Sequence, residues 1–358
     1  MATTNSCKSF VTLGMFIIDE FSFMDGEGRP TGRTLEPQGS WLQTLLEEEV
    51  PMLLSELAFG TCLDNIRGIP SPRLSPSHIG MIVDEGHDFP DRIKQELLNY
   101  GKEMWMFRKQ PHLATTRAIN SYRGEFRGFE YRTPRLRLTP KDFVGTELER
   151  PKILHFICSP SRASSIMSEA GLQAGWDPIT VYEPIPDRCV PEELPALKNI
   201  LPFISILSPN AEEALSLLSL PLPASKDVIE KAADEFLEIG IGKQDTGWIV
   251  IRSGAMGAYL KSKETQGIWV DAFWNGADAN VVVDVTGAGN SFLGGFAAGM
   301  ILSGDVYQAT LHGTVSASFA IEREGLPLLS YTSSAVEMWN GDEPLRRLEV
   351  LRQRQKKN

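Results

Sequence analysis

Short, continuous apolar runs alternate with amphipathic stretches through the second half of the chain. Runs such as Ile153–Cys158, Ile179–Tyr182 and Trp248–Ile251 predict buried strands. The segments between them are helical in pattern, and Lys226–Ile239 is the longest of these. Such alternation is typical of a mostly parallel sheet that helices cover on both faces. We therefore predict an α/β fold, whose ligands would lie at the carboxyl ends of the strands.

The two ends of the chain and one internal segment depart from this alternation. The apolar run from Phe10 to Ile18 predicts a buried first strand rather than a signal peptide. Residues of about 112–140 are rich in arginine and aromatic side chains and β-prone, which predicts a small lid of exposed strands over a cleft. We expect one domain over residues 1–330 and a helical, basic tail over residues 331–358.

Composition narrows the class of protein. The chain has 358 residues, 42% of them hydrophobic, and a net charge of −11, which argues against a general nucleic-acid or membrane-surface binder. An RNA- or DNA-binding role for the arginine-rich segment is disfavoured for the same reason. The four cysteines are widely spaced without a CxxC pair, and no apolar run approaches the roughly 20 residues that span a bilayer. We expect a cytoplasmic protein.

A glycine-rich stretch carries the candidate chemistry. Residues 284–290 read D-V-T-G-A-G-N, between a predicted strand at Asn280–Val283 and an apolar helix at Phe292–Leu302. A turn of this kind directs backbone N–H groups and the positive end of a helix dipole at one point, which suits a phosphate group. A dinucleotide-dependent oxidoreductase is disfavoured, because no G-x-G-x-x-G follows the first strand.

Together with Ser291–Phe296, this stretch resembles the D-x-T-G-A-G-[DN]-x-F-x-G-G signature of the pfkB/ribokinase family of sugar and nucleoside kinases. The resemblance implies a ribokinase-like three-layer α/β/α sandwich with a mostly parallel central sheet and a small β lid. It implies ATP and Mg²⁺ as cofactors and phosphoryl transfer to a hydroxyl of a sugar, polyol or nucleoside. It also implies that Gly287, Ala288 and Gly289 form the anion hole, with Asp284 near the metal and phosphates.

Three further segments are similar to parts of that family. Asn210 and Glu213 resemble its N-x-x-E motif, which helps to organise Mg²⁺ and phosphate, although a helix capping box would explain the same pattern. Gly254 and Gly257 resemble its nucleotide-side loop. The segment His312–Gly325 is similar to the helix beside the adenine pocket, but its small residues equally suit close helix packing.

From that last segment we place Gly325 with the nucleotide-binding residues. Near the N-terminus, Asp19 resembles the strand-end aspartate that binds substrate hydroxyls, and an Asx turn is the structural alternative. Lids of this family often pair between subunits, so a homodimer is one arrangement consistent with the resemblance, and the sequence leaves the oligomeric state open. It does not name the small-molecule substrate.

Asn290 departs from the family's usual catalytic residue. An aspartate there accepts the proton of the substrate hydroxyl, which a neutral amide does not do. Loss of a general base costs roughly 10²–10⁴-fold in rate, so a weak kinase is expected. A nucleotide-binding pseudokinase with a regulatory or interaction role is the alternative. The chain resembles the fungal "maintenance of killer" subgroup, which has the same asparagine.

The family's glycine-rich substrate motif is missing where we expect it. Back-translation of Leu46–Gly60 with permitted codons, shifted by one base, spells G-G-G-G-T-Y followed by a small-residue helix. We therefore hypothesise that residues of about 39–65 are an out-of-frame sequence, with the frame restored before His78. A divergent but genuine helix is the alternative, and sequencing of the transcript over residues 36–78 decides between them.

Overall fold

A computed structural model describes residues 8–25, 29, 31, 75–123, 126–285, 287–323, 327–334 and 336–357. Its strands are β1 (Phe10–Thr12), β2 (Ile18–Met24), β3 (Ile79–Gly86), β4 (Trp105–Gln110), β5 (Arg117–Arg123), β6 (Phe126–Tyr131), β7 (Ile153–Cys158), β8 (Ile179–Pro184), β9 (Ile206–Leu207), β10 (Trp248–Arg252), β11 (Ala258–Ser262), β12 (Ile268–Val270), β13 (Leu329–Tyr331) and β14 (Glu337–Trp339). Its α-helices are α1 (Asp91–Asn99), α2 (Pro160–Gly171), α3 (Leu194–Ile200), α4 (Ala211–Leu217), α5 (Lys226–Ile239), α6 (Ala288–Ser303), α7 (Val306–Ala320) and α8 (Pro344–Gln355).

A nine-stranded sheet forms the middle layer, in the order β12-β11-β10-β9-β8-β7-β1-β3-β4. The strands from β10 to β4 pair in parallel, and β11 and β12 are antiparallel. Their alternate side chains enter two buried clusters, one of which holds Phe296 of α6 and Val315 of α7. The other holds Leu197 of α3 and Phe236 of α5. Helices therefore cover both faces of the sheet, which confirms the predicted three-layer α/β/α architecture.

The lid is a separate three-stranded sheet in the order β2-β5-β6. Its hairpin of β5 and β6 is antiparallel, as predicted for this segment, and β2 pairs in parallel with β5. The prediction of one buried strand from Phe10 to Ile18 is wrong. Strand β1 ends at Thr12, whose side-chain oxygen accepts a hydrogen bond from the Gly14 N–H at 3.0 Å. The chain then leaves the central sheet and enters the lid at Ile18.

The strand predicted at Asn280–Val283 is also absent. A 3₁₀ turn covers Gly276–Val281, and the Val283 N–H donates a hydrogen bond to the Ile321 carbonyl at 2.8 Å, next to the end of α7. Val282 lines a cavity and Val283 faces solvent, so neither side chain packs in the sheet. The segment of the proposed frame error, residues 39–65, lies outside the described residues. No helix within the described ranges is long and apolar enough to cross a membrane.

The C-terminal residues pack onto the domain through α8. Leu348 and Leu351 belong to the same buried cluster as α6 and α7. Arg347 is 3% exposed, and its guanidinium carbon lies 3.4 Å from the ring centroid of Phe319, while Glu322 and Asp342 pair with it. The C-terminal helix α8 therefore packs against α7.

Protonation of the Asp342 carboxylate is expected to weaken this packing and to lower the free energy of unfolding at acid pH. Desolvation raises the pKa of Asp342, but hydrogen bonds from Arg346 and Arg347 outweigh it and lower the pKa from 3.8 to about 2. A lowered pKa adds stability above pH 3.8 that is lost as the pH falls towards 2. Between pH 5 and pH 2 the wild type should lose roughly 1–2 kcal/mol more unfolding free energy than Asp342→Asn. Denaturant unfolding at several pH values measures this difference, and parallel pH curves would contradict it.

Candidate active site

The glycine-rich turn forms the N-terminus of α6. Gly287 is the N-cap residue with φ of 75°, a left-handed conformation that glycine adopts without strain. Asn290 lies in the first turn and is 8% exposed. The N–H groups of a first turn have no carbonyl partner within their helix, and they lie at the positive end of the helix dipole. The predicted helix is confirmed, and its first turn has the geometry of an anion-binding site.

Helices α6 and α7 touch along a seam of small residues. A Cβ at Gly295 would lie 2.5 Å from the Ser316 Cβ, and a Cβ at Gly313 would lie 2.7 Å from the Phe292 carbonyl oxygen. Another face of α7 lines a cavity with Thr314, Ala317 and Ser318. Close packing therefore accounts for the small residues on one face of this helix, and the role beside an adenine pocket stays a prediction for the face that lines the cavity.

That cavity has a volume of about 350 Å³ and lies beside the first turn of α6. Its walls come from the ends of β9 and β10, the β10–β11 turn, residues 272–274, the start of α6 and one face of α7. Five of the predicted site residues line it: Asn210, Gly254, Gly257, Ala288 and Gly289. Aromatic side chains of Phe273 and Trp274 and the aliphatic Val282 and Val285 supply apolar surface.

The β10–β11 turn needs its glycines for backbone reasons. Gly254 and Gly257 have φ of 54° and 92°. A Cβ at Gly257 would lie 2.0 Å from the carbonyl oxygen of Val270, so a side chain there would separate β11 from its neighbour β12. Gly254 has no atom within 4 Å of such a Cβ, which leaves open space on the cavity side.

Asn210 and Glu213 form a closed capping box at the start of α4. The Glu213 N–H donates to Asn210 Oδ1 at 2.8 Å, while the Asn210 N–H and Nδ2 donate to the two carboxylate oxygens of Glu213 at 2.7 and 2.6 Å. Burial raises the pKa of Glu213 to about 7, against the opposing effect of Arg252. The helix capping box, which was the structural alternative for this motif, is therefore present.

This donor set is a poor direct ligand set for Mg²⁺. Amide and carboxylate oxygens are of the right type, but both Glu213 oxygens already accept hydrogen bonds, and Oε2 lies 3.8 Å from a guanidinium nitrogen of Arg252. Within the described ranges, no group of three or more His, Cys, Asp or Glu side chains is arranged to hold a metal ion. The pair suits contact with a hydrated cation through water.

Arg252 is a site residue to which the sequence interpretation assigned no role. It ends β10, lines the cavity and has only 10% of its side chain exposed. A Cβ at Gly289 would lie 2.3 Å from Arg252 Nη1, so the guanidinium lies directly against the glycine-rich turn. An arginine at the carboxyl end of an apolar strand, just before a G-x-x-G turn, was the available signal.

A buried cluster of charged and polar side chains holds Arg252 in place. Its Nη2 pairs with the carboxylate of Glu183, at the end of β8, and donates to the Ser208 carbonyl at 3.1 Å. His155 Nε2 lies 4.0 Å from Glu183 Oε2, and burial together with Arg252 lowers the pKa of His155 to about 3. Burial raises the pKa of Glu183, against the opposing effect of Arg252. Three buried atoms of this cluster lack a hydrogen-bond partner among the described residues: Arg252 Nε, Glu183 Oε2 and His155 Nε2.

Two further predicted residues, one near the glycine-rich turn and one in the lid, lie within the described part of the chain. The Asp284 N–H donates to the Ile321 carbonyl at 3.2 Å, which ties the turn to the end of α7. The backbone of Asp19 lies on β2 of the lid, paired with Ala118 of β5. Gly325 lies outside the described residues.

Comparison with known proteins identifies the family of this chain. Residues 177–330 match the model of the pfkB family carbohydrate kinases. An uncharacterized protein of Schizosaccharomyces pombe is 31% identical over 95% of this chain and 91% of its own length. Protein MAK32 of Saccharomyces cerevisiae is 30% identical over 81% of each chain.

Solved structures give the same fold. The ribokinase of Cryptococcus neoformans, determined in complex with ADP, superposes with a TM-score of 0.60, covering 98% of this chain and all of that one, at 17% identity. The fold, the glycine-rich turn and the two fungal relatives lead to one conclusion. The chain is a carbohydrate kinase-like member of the pfkB family, close to the MAK32-like proteins.

Proposed function

We propose that this protein transfers the terminal phosphoryl group of ATP to a hydroxyl of a sugar, polyol or nucleoside, at a low rate. The observation that carries the proposal is the meeting of the α6 N-terminus and the Arg252 guanidinium at Gly289, on the wall of one cavity. Two independent sources of positive charge at one point suit a transferring phosphoryl group.

In this proposal, separate groups of residues bind the nucleoside, the phosphates and the cation. The 350 Å³ cavity takes the adenine and ribose against Phe273, Trp274 and α7. Backbone N–H groups of Ala288 and Gly289 and the guanidinium of Arg252 face the phosphates. ADP bound to the Cryptococcus ribokinase supports a nucleotide on this fold. Mg²⁺ would supply charge neutralisation of the phosphates, and Asn210 with Glu213 would contact its hydration shell.

Asn290 positions the acceptor in this proposal. Its amide forms hydrogen bonds to a hydroxyl, but it does not take up the proton, which therefore passes to solvent or to the phosphate as the new P–O bond forms. Positioning and charge stabilisation remain, and they account for much of the catalysis of phosphoryl transfer. Slow turnover is the consequence. Cys158 and Cys189 form no disulfide among the described residues, which accords with a reducing, cytoplasmic location.

A cavity-filling variant tests the nucleotide site. In Ala317→Phe, the new ring would occupy the cavity face of α7, and we expect roughly 10- to 100-fold weaker ATP binding because overpacking or displacement of the base opposes it. Lys231→Phe, at an exposed position of α5, is the matched control and should bind ATP as the wild type does. Titration with a fluorescent ATP analogue and Mg²⁺ measures both. Equal affinities in the two variants would remove the cavity from the proposal.

A nucleotide-binding pseudokinase is the second candidate, and the neutral Asn290 favours it. The two functions differ in one observable. Incubation with Mg²⁺, ATP and a panel of sugars, polyols and nucleosides yields ADP in step with a phosphorylated acceptor if the protein is a kinase. Saturable ATP binding with no acceptor-dependent ADP formation identifies the pseudokinase.

A further inference from the structure

A second cavity at the same edge of the sheet is lined by arginines. It has a volume of about 280 Å³ and lies at the carboxyl ends of β1, β7 and β8. Among the described residues, its lining includes one carboxylate residue, Asp187, and four arginines: Arg135, Arg137, Arg162 and Arg188. A concentration of cations in a cleft of a chain with net charge −11 marks a site that selects anions.

Two of these arginines have no carboxylate partner among the described residues. Within the described parts of the chain, no carboxylate lies within 4.0 Å of Arg137 or Arg162. Carboxylates near Arg162 have cations of their own: Glu169 pairs with Lys141 at 3.1 Å and Asp142 with Arg108 at 2.6 Å. The other two cavity arginines are engaged, Arg188 with Glu193 and Arg135 over the ring of Tyr131.

The backbone around the cavity adds to its preference for anions. Ser159 lines the cavity and caps the N-terminus of α2, a helix of 12 residues, so the positive end of its dipole faces the same space. Arg162 lies one turn into this helix, half-buried, and donates a hydrogen bond to the Leu138 carbonyl. Burial lowers the pKa of Arg162, and the neighbouring Arg137 lowers it further, against the opposing effects of Cys158, Glu169 and Asp142.

A short series of contacts connects the arginine cavity to the glycine-rich turn. Ile185 lines the cavity two residues after Glu183, so roughly 7 Å of extended chain at most separates them. Glu183 pairs with Arg252, whose guanidinium lies against Gly289. On the other side, Gly14 and Met15 line the cavity in the loop that leads to β2 and Asp19.

We propose that this cavity binds a phosphate or carboxylate group of the acceptor, so that the substrate is an anionic carbohydrate, not a neutral one. The inference rests on the proposed function, because it identifies the acceptor of that reaction. Arg137 and Arg162 would form charge-assisted hydrogen bonds with the anion. The acceptor hydroxyl at its other end would face Asn290.

Direct binding tests this proposal without requiring turnover. Calorimetric titrations use ribose 5-phosphate, gluconate and ribose, and the first two separate a phosphate from a carboxylate preference. We expect at least one of the two anions to bind about tenfold or more tightly than ribose, with an affinity that falls as salt is raised. Inorganic phosphate should compete with the bound anion.

Variants locate the binding to the cavity. Arg137→Gln removes an exposed side chain that has no ion pair, so folding should be unaffected, and it should weaken anion binding roughly tenfold or more. Arg162→Lys, which keeps the charge but not the planar donor geometry, should also weaken it. Arg92→Gln removes an equal charge from the exposed face of α1 and should change nothing.

The outcomes test the anionic-acceptor proposal and the kinase function separately. Ribose binding as tightly as both anions, no binding of either anion at millimolar concentration, or anion affinity unchanged in Arg137→Gln would overturn the anionic-acceptor proposal. Phosphorylation of neutral sugars in those cases leaves the kinase function standing. Conversely, Arg137-dependent anion binding without phosphoryl transfer from ATP removes the kinase function and leaves the anion site.

Discussion

Arg252→Ala is expected to abolish measurable phosphoryl transfer and to lower the free energy of unfolding by about 3–5 kcal/mol, the usual cost of breaking a buried ion pair. Glu183 and Arg252 have 7% and 10% of their side chains exposed. Among the described residues, Arg252 is the guanidinium that pairs with both Glu183 and Glu213, so its removal leaves two buried carboxylates without that cation. Chemical denaturation measures this loss directly.

The catalytic part of the effect needs a variant that folds well. A buried ion pair can often be replaced by apolar residues of similar volume with little loss of stability. We therefore expect the double variant Arg252→Met, Glu183→Leu to recover most of the stability of the wild type. Its turnover should still be reduced roughly 10²–10³-fold, the usual cost of losing one group that stabilises transition-state charge.

Comparison of the two variants separates structure from chemistry. If the double variant recovers both stability and turnover, Arg252 only holds the fold together. If it recovers stability while turnover stays low and ATP affinity is near normal, the guanidinium acts on the transferring group. Arg252→Lys retains a cation and should lie between the wild type and Arg252→Ala in turnover.

Asn290→Asp is expected to raise turnover by roughly 10²–10⁴-fold, the range that a general base contributes. The residue lies in the first turn of α6 with 8% of its surface exposed. Burial would raise the pKa of a new carboxylate, and a base works best when its pKa is near the working pH. The gain in turnover is measured with an ADP-coupled assay. The protein for this assay is expressed from the sequenced transcript.

Asn290→Ala is the matched control for this gain. It removes the amide without supplying a base, so turnover should fall below that of the wild type while ATP affinity is retained. The pH–rate profile of Asn290→Asp should acquire a rising limb that the wild type lacks. If ATP binds and none of the three forms phosphorylates an acceptor, the pseudokinase interpretation holds.

Local patterns explain what could be predicted here. The period of apolar residues identifies a strand or helix within its own window, so Lys226–Ile239 was bounded correctly. The lid hairpin and the strand–helix alternation are local in the same sense. The pattern failed at Phe10–Ile18 and Asn280–Val283, because an apolar run does not reveal which surface will bury it: the lid in one case, a cavity wall in the other.

The sequence by itself determined the α/β class, the lid hairpin, the glycine-rich turn and the asparagine that ends it, since each is encoded in consecutive residues. Only the tertiary structure brought Arg252 to Glu183, 69 positions apart, and set that pair against Gly289. It also gathered arginines from the lid boundary, α2 and the segment after β8 around one cavity. The order of strands in the sheet decides which strand ends meet, and long-range packing, not any local motif, sets that order.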